Sequence, residues 1–179
     1  MSSRNNKTLL TILVACPVVL IIAGAFTLSA TAVIEELRFV NASDQIMDLV
    51  DSVHFISAQQ SGFAQTPGED VWNDLAKAGQ LVMPDSRINP WRGDMRAVTV
   101  PVGAMRIEND LPTHECRRLA RYFMEHRPSG LLAIEAQSVE TSSWAPIYPV
   151  TGTANPDWLV GTACGTAKYA RLAVILRVK

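Results

Sequence analysis

The chain has 179 residues and a formal net charge of −1 at pH 7, so no strong electrostatic field attracts nucleic acid or an anionic membrane surface. Hydrophobic residues make up 48% of the sequence, and the longest uncharged run lies close to the N-terminus. Without that run roughly 140 residues remain, which suffice for one domain with its own hydrophobic core.

Residues 8–34 form a run without a single charged side chain. About 27 residues at a rise of ~1.5 Å span roughly 40 Å, more than the ~30 Å hydrocarbon core of a bilayer. In lipid the backbone must satisfy its own hydrogen bonds, so we expect a transmembrane helix here. Arg4 and Lys7 precede the run, and acidic residues follow it. The positive-inside rule therefore places residues 1–7 in the cytoplasm and the rest of the chain beyond the membrane.

Pro17 and Gly24 interrupt this hydrophobic run. Proline removes a backbone N–H and clashes with the preceding helical turn, and glycine is a weak helix former. We therefore expect the transmembrane helix to kink or loosen at these two positions.

Two other interpretations of the run involve proteolytic processing. Signal peptidase could cut after the small residues near Ala32, and residues 13–16 match a bacterial lipobox that would lipidate Cys16. The apolar part of a secretory signal is normally about 7–15 residues long. This run is longer, and more apolar sequence follows Cys16, so an uncut transmembrane helix is the prediction.

The helical pattern continues beyond the membrane run to about Gln60. Apolar residues recur at steps of three and four with acidic residues on the opposite face, which predicts that residues 35–60 are the outer half of one long spine helix. An amphipathic segment of this kind needs a domain to pack on. Its apolar positions are Val33, Leu37, Val40, Met47, Val50 and Val53.

Residues 61–179 are predicted to form that domain, with short helices and an antiparallel sheet, which is an α+β arrangement. Gln137 to Gly165 is predicted to be a loop, and Asn109 to Pro112 is expected to end the second strand. A helix starts near Thr113, which can cap it. The other predicted elements are a helix from Glu69 to Ala78 and strands from Arg96 to Val102, Ala104 to Glu108, Leu131 to Ala136 and Tyr169 to Val178.

Cys116 and Cys164 lie in the outer domain, whereas the third cysteine, Cys16, lies in the membrane run. If the predicted topology holds, the two outer cysteines face an oxidising compartment, where a pair of cysteines indicates one disulfide. It would close a loop of about 49 residues and contribute about 4 kcal/mol in the chain-entropy model. The alternative is a pair of free, buried thiols.

Catalytic and metal-binding patterns are weak. The three histidines lack the spacing of metal ligands, no serine or threonine lies in a nucleophile elbow, and no glycine-rich phosphate loop occurs. We therefore predict no enzyme activity, cofactor, metal or small-molecule substrate. A group of carboxylates at a strand–helix junction leaves an acid or metal site as the alternative to turn and capping roles. The residues concerned are His54, His114 and His126, and Glu108, Asp110 and Glu115.

Arginines and tryptophans offer candidate contact surfaces. Arg117, Arg118 and Arg121 give the helix after Thr113 a basic side, which indicates a solvated face or salt bridges to a neighbouring subunit. Anion or DNA binding is the alternative, and the net charge does not favour nucleic acid as a partner. Trp91 is expected to plug a turn. The other two tryptophans singled out, Trp144 and Trp158, are expected to be exposed for contact with a partner.

Four motifs occur in order along the chain: residues 6–11 near the N-terminus, 74–84 after the spine helix, 88–93 at a turn, and 111–120 at a helix start. The third motif contains Asn89, Pro90, Trp91 and Gly93. With the order of the predicted elements, these motifs resemble the type IV pilins, most closely their type IVb and minor-pilin branch.

The resemblance implies a long N-terminal transmembrane spine helix packed on a small antiparallel sheet with short helices. It implies a single-pass subunit of the bacterial inner membrane, with its domain in the periplasm, that serves a type IV pilus or fimbrium, a conjugative pilus or a related secretion machine, including cell adhesion. Its partners would be the lipid bilayer and other pilin or assembly subunits in a homo- or hetero-oligomer. Cys116 and Cys164 would bound the family's variable region.

Two positions depart from the family pattern and look like vestiges of a processing site. Asn6 precedes Lys7 where the maturing peptidase requires a glycine, and Thr11 replaces the glutamate that is thought to pair with a neighbouring subunit's N-terminal amine. A lone carboxylate in lipid is costly, so that glutamate serves assembly. The departures leave open an unprocessed pilin-like protein, a base or tip component or a degenerate copy. They favour a membrane-tethered periplasmic binding module that does not polymerise.

Overall fold

The computed structural model describes residues 30–55, 57, 67–77, 87–101, 103–139, 141, 143–150 and 155–178. The chain divides into two compact units, Met1–Arg38 and Phe39–Lys179. The expected transmembrane run falls mostly outside the described residues, as do Asn6, Lys7, Thr11, Pro17 and Gly24. Over the described ranges, no helix has both the length and the hydropathy that a membrane crossing requires.

Helix α1 covers residues 30–55, within the segment for which the sequence predicts a helix. In the second unit its apolar side chains recur at steps of three and four and are buried in the core, while aspartates occupy the exposed face. The packing of this face, rather than intrinsic helix propensity, is what stabilises an amphipathic helix. The buried apolar residues are Ala42, Ile46, Leu49, Val50 and Val53.

The described part of the second unit adds three helices and five strands. The helices are α2 (Trp72–Lys77), α3 (Thr113–His126) and α4 (Pro156–Cys164). The strands are β1 (Met95–Val100), β2 (Ala104–Pro112), β3 (Leu131–Ser138), β4 (Ala145–Tyr148) and β5 (Tyr169–Arg177).

The five strands form one antiparallel sheet in the order β1-β2-β5-β3-β4. Strand β5, which follows the other four in the chain, therefore lies in the middle, and Val174 is opposite Ile107 on one side and Ile134 on the other. Helix α3 packs on β2, β3 and β5, and α4 packs on β3 and β4. The structure confirms an α+β fold with an antiparallel sheet.

Both edges of the sheet are protected against further pairing. Residues 68–71 lie beside β1, where the Gly68 and Val71 amides donate to Thr99 and Ala97 at 2.8 Å each. Strand β4 has only four residues and includes Pro146. Covered edges, short edge strands and proline all prevent unwanted strand addition.

Two parts of the sequence prediction were wrong. Strand β2 does not stop at Glu108, because residues 109–112 continue the ladder with β5 as far as the pair Pro112 and Tyr169. The predicted loop from Gln137 to Gly165 contains strand β4 and helix α4. Its prolines and glycines indicated turns, but Asn155 accepts a hydrogen bond from the Asp157 amide and Pro156 occupies the first helical turn, where both residue types favour a helix start.

The expected cap of α3 is also wrong. Pro112 occupies the N-cap position, and among the described residues no side chain caps the helix. The Thr113 hydroxyl instead donates to the Ala167 carbonyl, in the segment that leads into β5. The other sequence features of this helix are as expected, because Cys116, Leu119 and Phe123 share its buried face.

The disulfide between Cys116 and Cys164 is present, as predicted. It joins the first turn of α3 to the last residue of α4 across 48 positions, with a Cα–Cα distance of 6.0 Å. Both cysteines are fully buried in the core. The bond therefore ties two helices that both pack on β3, with α3 also on β2 and α4 also on β4.

Replacing both bonded cysteines by alanine should lower the free energy of unfolding by about 2–4 kcal/mol, because the unfolded chain is no longer cross-linked. Urea denaturation of the detergent-solubilised protein, followed by tryptophan fluorescence, measures the loss. The control is Cys16→Ala, which removes the remaining thiol of the chain and should leave the midpoint unchanged. Equal midpoints for the double variant and the wild type would contradict a stabilising role.

Candidate functional site

One face of the sheet carries charged side chains. Successive strand residues point to opposite faces, so Arg106, Glu108 and Asp110 of β2 lie opposite to the buried Ile107 and its neighbours. Pairing brings charged residues of the other strands to the same face. We call this surface the charged face, and it consists of Arg96, Arg106, Glu108, Asp110, Glu135 and Arg171.

Arg171 of β5 is the centre of the charged face. Its Nε and Nη2 atoms donate to the two carboxylate oxygens of Asp110, at 2.5 and 3.0 Å, and its Nη1 lies 3.7 Å from a carboxylate oxygen of Glu108. Bidentate arginine–carboxylate pairs are among the strongest polar contacts in proteins. The hydrogen bond with Asp110 is the main reason why the pKa of Arg171 is raised.

A second ion pair crosses the central strand. Arg106 of β2 donates to Glu135 of β3 at 3.0 Å, although β5 lies between these two strands. Ala173 is opposite both Glu108 and Glu135, and its small side chain leaves room above β5. The Arg106 guanidinium also lies 4.8 Å from the ring centroid of Trp144, a cation–π distance.

Burial raises the pKa of Glu108, while Arg171, Arg106 and Arg96 act in the opposite direction and do not cancel the effect. A carboxyl group whose pKa is higher in the folded than in the unfolded protein binds more protons when folded. The free energy of unfolding therefore decreases as the pH rises through the pKa that Glu108 has in the folded protein, because Glu108 then becomes ionised.

Glu108→Gln should raise the melting temperature at pH 7, where the wild-type carboxylate is ionised. The gain should shrink as the pH falls to about 4, because the wild-type group is then protonated in the folded state. Differential scanning fluorimetry across this pH range measures the difference.

Glu135→Gln is the matched control, because its side chain is more exposed, at 23% against 11% for Glu108. It removes a carboxylate from the same face and should give no gain at pH 7. A Glu108→Gln variant that melts lower than the wild type at pH 7 and equally at pH 4 would contradict the prediction.

The turn at residues 89–93 is fixed to strand β2 by the buried side chain of Asn89. Its Oδ1 atom accepts hydrogen bonds from the amides of Trp91 and Gly93, each at 2.9 Å. Its Nδ2 atom donates to the Asp110 carbonyl at 2.5 Å. Asparagine can both accept and donate in this way, which explains the residue type.

Gly93 lies in close contact with the same strand. A Cβ atom at this position would lie 1.6 Å from the Asp110 carbonyl oxygen. The turn and β2 can approach this closely only with glycine.

Gly93→Ala should therefore lower the free energy of unfolding by about 3 kcal/mol or more, because the backbone of the turn must move away from β2. Gly161→Ala is the control. It lies within α4 with nothing within 4 Å of the added Cβ, so it should stabilise the protein by about 0.5–1 kcal/mol through helix propensity. Urea denaturation of both variants tests the pair, and a loss below about 1 kcal/mol for Gly93→Ala would contradict the close approach.

A cleft of about 640 Å³ lies where the turn meets the sheet. The turn, the ends of β2 and β3 and the start of β5 line it. Its volume falls within the range of small-molecule sites, ~300–1,000 Å³. The residues that carry its chemistry are Trp91, Arg92, Asp110, Gln137, Tyr169 and Arg171.

Arg92 has an unusual backbone conformation at this cleft. Its φ angle is +65°, a left-handed value that costs a residue other than glycine about 1–2 kcal/mol. Its side chain is exposed, and the described residues offer its guanidinium no ion-pair or hydrogen-bond partner.

A second cleft, of about 620 Å³, lies beside His54. The His54 Nε2 atom is 2.7 Å from the Ser129 carbonyl oxygen, and Arg177 lines the same cleft. The other histidines lie elsewhere: His114 Nε2 is 3.3 Å from Glu115, and His126 stacks on Tyr122.

The carboxylates that the sequence grouped together have different partners. Glu108 and Asp110 share Arg171 on the charged face. Glu115 is almost fully buried on α3, where Arg118 lies 3.6 Å away. These three residues therefore do not form one acid or metal site, because Glu108 and Asp110 pair with Arg171 whereas Glu115 lies beside Arg118 on α3.

The three arginines of α3 contact groups of their own unit. Arg117 donates to the Gly165 carbonyl at 2.6 Å, Arg118 lies 3.9 Å from the Phe39 ring centroid, and Arg121 donates to Asp157 at 2.8 Å. Of the tryptophans, Trp158 is 63% exposed, whereas Trp91 and Trp144 are half-buried.

Comparisons of the chain with protein-family models, with curated proteins and with solved structures found no match. Sequence reasoning missed Arg92 and Arg171 as site residues. The sequence did contain a signal for Arg92, because this large charged residue occupies a position in a turn where glycine is usually favoured.

Proposed function

We propose that the protein is a membrane-anchored, pilin-like structural subunit of a type IV pilus, a conjugative pilus or a related secretion machine. Residues 8–34 would anchor it in the bacterial inner membrane, and the second unit would lie in the periplasm. Its partners would be the bilayer and other pilin or assembly subunits. The supporting observation is apolar surface on the described part of the first unit.

Three apolar side chains of the first unit are left uncovered. Val33, Ile34 and Leu37 are 59%, 48% and 57% exposed. They lie on consecutive turns of a helical segment that follows the uncharged run. Burying one such side chain in a contact stabilises the assembled state by roughly 1.5–3 kcal/mol. A contiguous exposed apolar surface indicates a contact with lipid or with another protein.

The architecture of the second unit agrees with this role. A helix whose apolar face covers an antiparallel sheet, with a disulfide near the last strand, is the arrangement that the family resemblance implies. The protected sheet edges argue against assembly through strand addition. Assembly through the N-terminal helix is thus the favoured mode.

The second candidate function is a membrane-tethered periplasmic binding module that does not polymerise. The cleft beside Arg92 favours it, because an assembly subunit has no need of a strained arginine that lacks a partner among the described residues. Asn6 and Thr11, in the place of the family's glycine and glutamate, favour it as well.

Cysteine cross-linking in native membranes tests the proposal. Leu37→Cys, made in a Cys16→Ser background, should give a cross-linked dimer with a short bis-maleimide, because each subunit then carries one free thiol and Leu37 would contact the same helix of a neighbouring subunit. Glu125→Cys is the control, since it places an equally exposed cysteine at the end of α3 and should stay monomeric.

The pattern of products separates the two candidates. A cross-linked dimer, or a discrete adduct with another membrane protein, supports an assembly subunit. A monofunctional maleimide first verifies that the introduced thiol is accessible in these membranes. If it reacts fully and Leu37→Cys still gives only monomers, the proposal is contradicted and the tethered binding module is favoured.

A further inference from the structure

The cleft at residues 89–93 combines features that a purely structural surface does not need. Backbone strain at non-glycine residues is concentrated at functional sites. Arg92 adopts such a conformation, and although its amide donates to the Asn89 carbonyl at 2.8 Å, its guanidinium gains no ion pair or hydrogen bond from the described residues. The turn itself is fixed by Asn89 and Gly93, so it presents the Arg92 side chain from a rigid position.

Aromatic rings and fixed polar groups line the same cleft. Trp91 belongs to the turn, and Tyr169 begins β5 with 48% of its surface exposed. Asp110 and Arg171 line the same cleft and form a bidentate pair. Ligand sites typically combine apolar and aromatic walls with a few placed polar groups that fix the orientation of the ligand.

The charge balance of the residues that line the cleft favours a ligand with a single negative charge. Asp110 and Arg171 neutralise each other, which leaves Arg92 as the uncommitted charge among the described lining residues. Lys168 stands nearby, with its Nζ 5.3 Å from the Tyr169 ring centroid. The single guanidinium of Arg92 matches one negative charge, so a ligand with one carboxylate fits better than a polyphosphate.

The sheet topology disfavours an extended peptide as the ligand. Peptides commonly bind by adding a strand to a free sheet edge. The three strands that line the cleft, β2, β5 and β3, are all internal in the order β1-β2-β5-β3-β4. Their backbone groups pair with neighbouring strands, so recognition depends on side chains. A compact ring with hydroxyl groups suits aromatic walls and fixed polar side chains.

We propose that this cleft binds an acidic saccharide, and that Arg92 binds the carboxylate of a single sugar ring. The ring stacks against Trp91 or Tyr169, and its hydroxyl groups face Gln137 and the Asp110–Arg171 pair. The site lies wholly within the second unit and does not depend on membrane anchoring or assembly, so it goes beyond the proposed structural role.

The test uses the full-length protein in a detergent without sugar groups. Methyl glucuronide is the probe, and methyl glucoside is its uncharged counterpart. Isothermal titration, with the Trp91 indole N–H signal followed by NMR, should show saturable binding of the glucuronide only. Arg92→Gln should weaken that binding by about 10- to 100-fold, because a charge-assisted contact is lost.

Arg121→Gln is the matched control, since it removes one exposed arginine outside the cleft and should change affinity less than two-fold. Arg92→Gly should lose binding while its melting temperature equals or exceeds that of the wild type, because glycine relieves the positive φ angle. Each of the following results would overturn the proposal: no saturable glucuronide binding, equal binding of the glucoside, equal effects of Arg92→Gln and Arg121→Gln, or tighter binding of uridine monophosphate or an acidic tetrapeptide.

Discussion

The pairing of strand β5 is the constraint on which the domain depends. Strands β2 and β3 do not pair with each other, and β5 forms hydrogen bonds to both. The two outer hairpin-like pairs, β1–β2 and β3–β4, therefore become one sheet only through β5. The same strand supplies Val174 and Leu176 to the core and Arg171 to the charged face. Core packing on one face of the sheet and ion pairing on the other therefore both depend on β5.

The charged face illustrates how a sheet can carry many charges when each of them has a partner of opposite sign. Each carboxylate on it has a cation within reach: Arg171 serves Asp110 and Glu108, and Arg106 serves Glu135. Partly buried charges are tolerated when they are paired in this way. The charge of Glu108 is the least well compensated, since burial raises its pKa by more than the neighbouring arginines lower it. Arg92, beside this network, differs because nothing in the described chain neutralises it.

Local patterns predicted the elements that have clear periodicity. The steps of three and four in α1 and α3, and the alternating apolar residues of β5, identified these elements, because one face of each is buried in the core. The disulfide was predicted from two cysteines and an expected compartment. Strand β4 and helix α4 were missed because their prolines and glycine indicate turns locally, while packing against β3 decides the outcome.

The cleft could not be predicted because its residues are far apart in the sequence. Arg92 and Arg171 meet only through the register of β2 with β5, where Asp110 pairs with Arg171, and through the attachment of the turn to Asp110. Register of this kind follows from the whole sheet rather than from any short segment. The left-handed conformation of Arg92 likewise results from the bonds that Asn89 makes, which the turn composition alone does not reveal.

The disulfide has a consequence for the order in which the domain can form. Strands β2 and β5 are separated by roughly 57 residues along the chain, but through the bond between Cys116 and Cys164 the path shortens to roughly ten residues and one cross-link. Closing the shorter path costs about 1.5 kcal/mol less chain entropy by the same scaling. Once the disulfide has formed, the pairing of β2 with β5 therefore connects segments that are close along the cross-linked chain. Contacts between such segments form faster than contacts that close long loops.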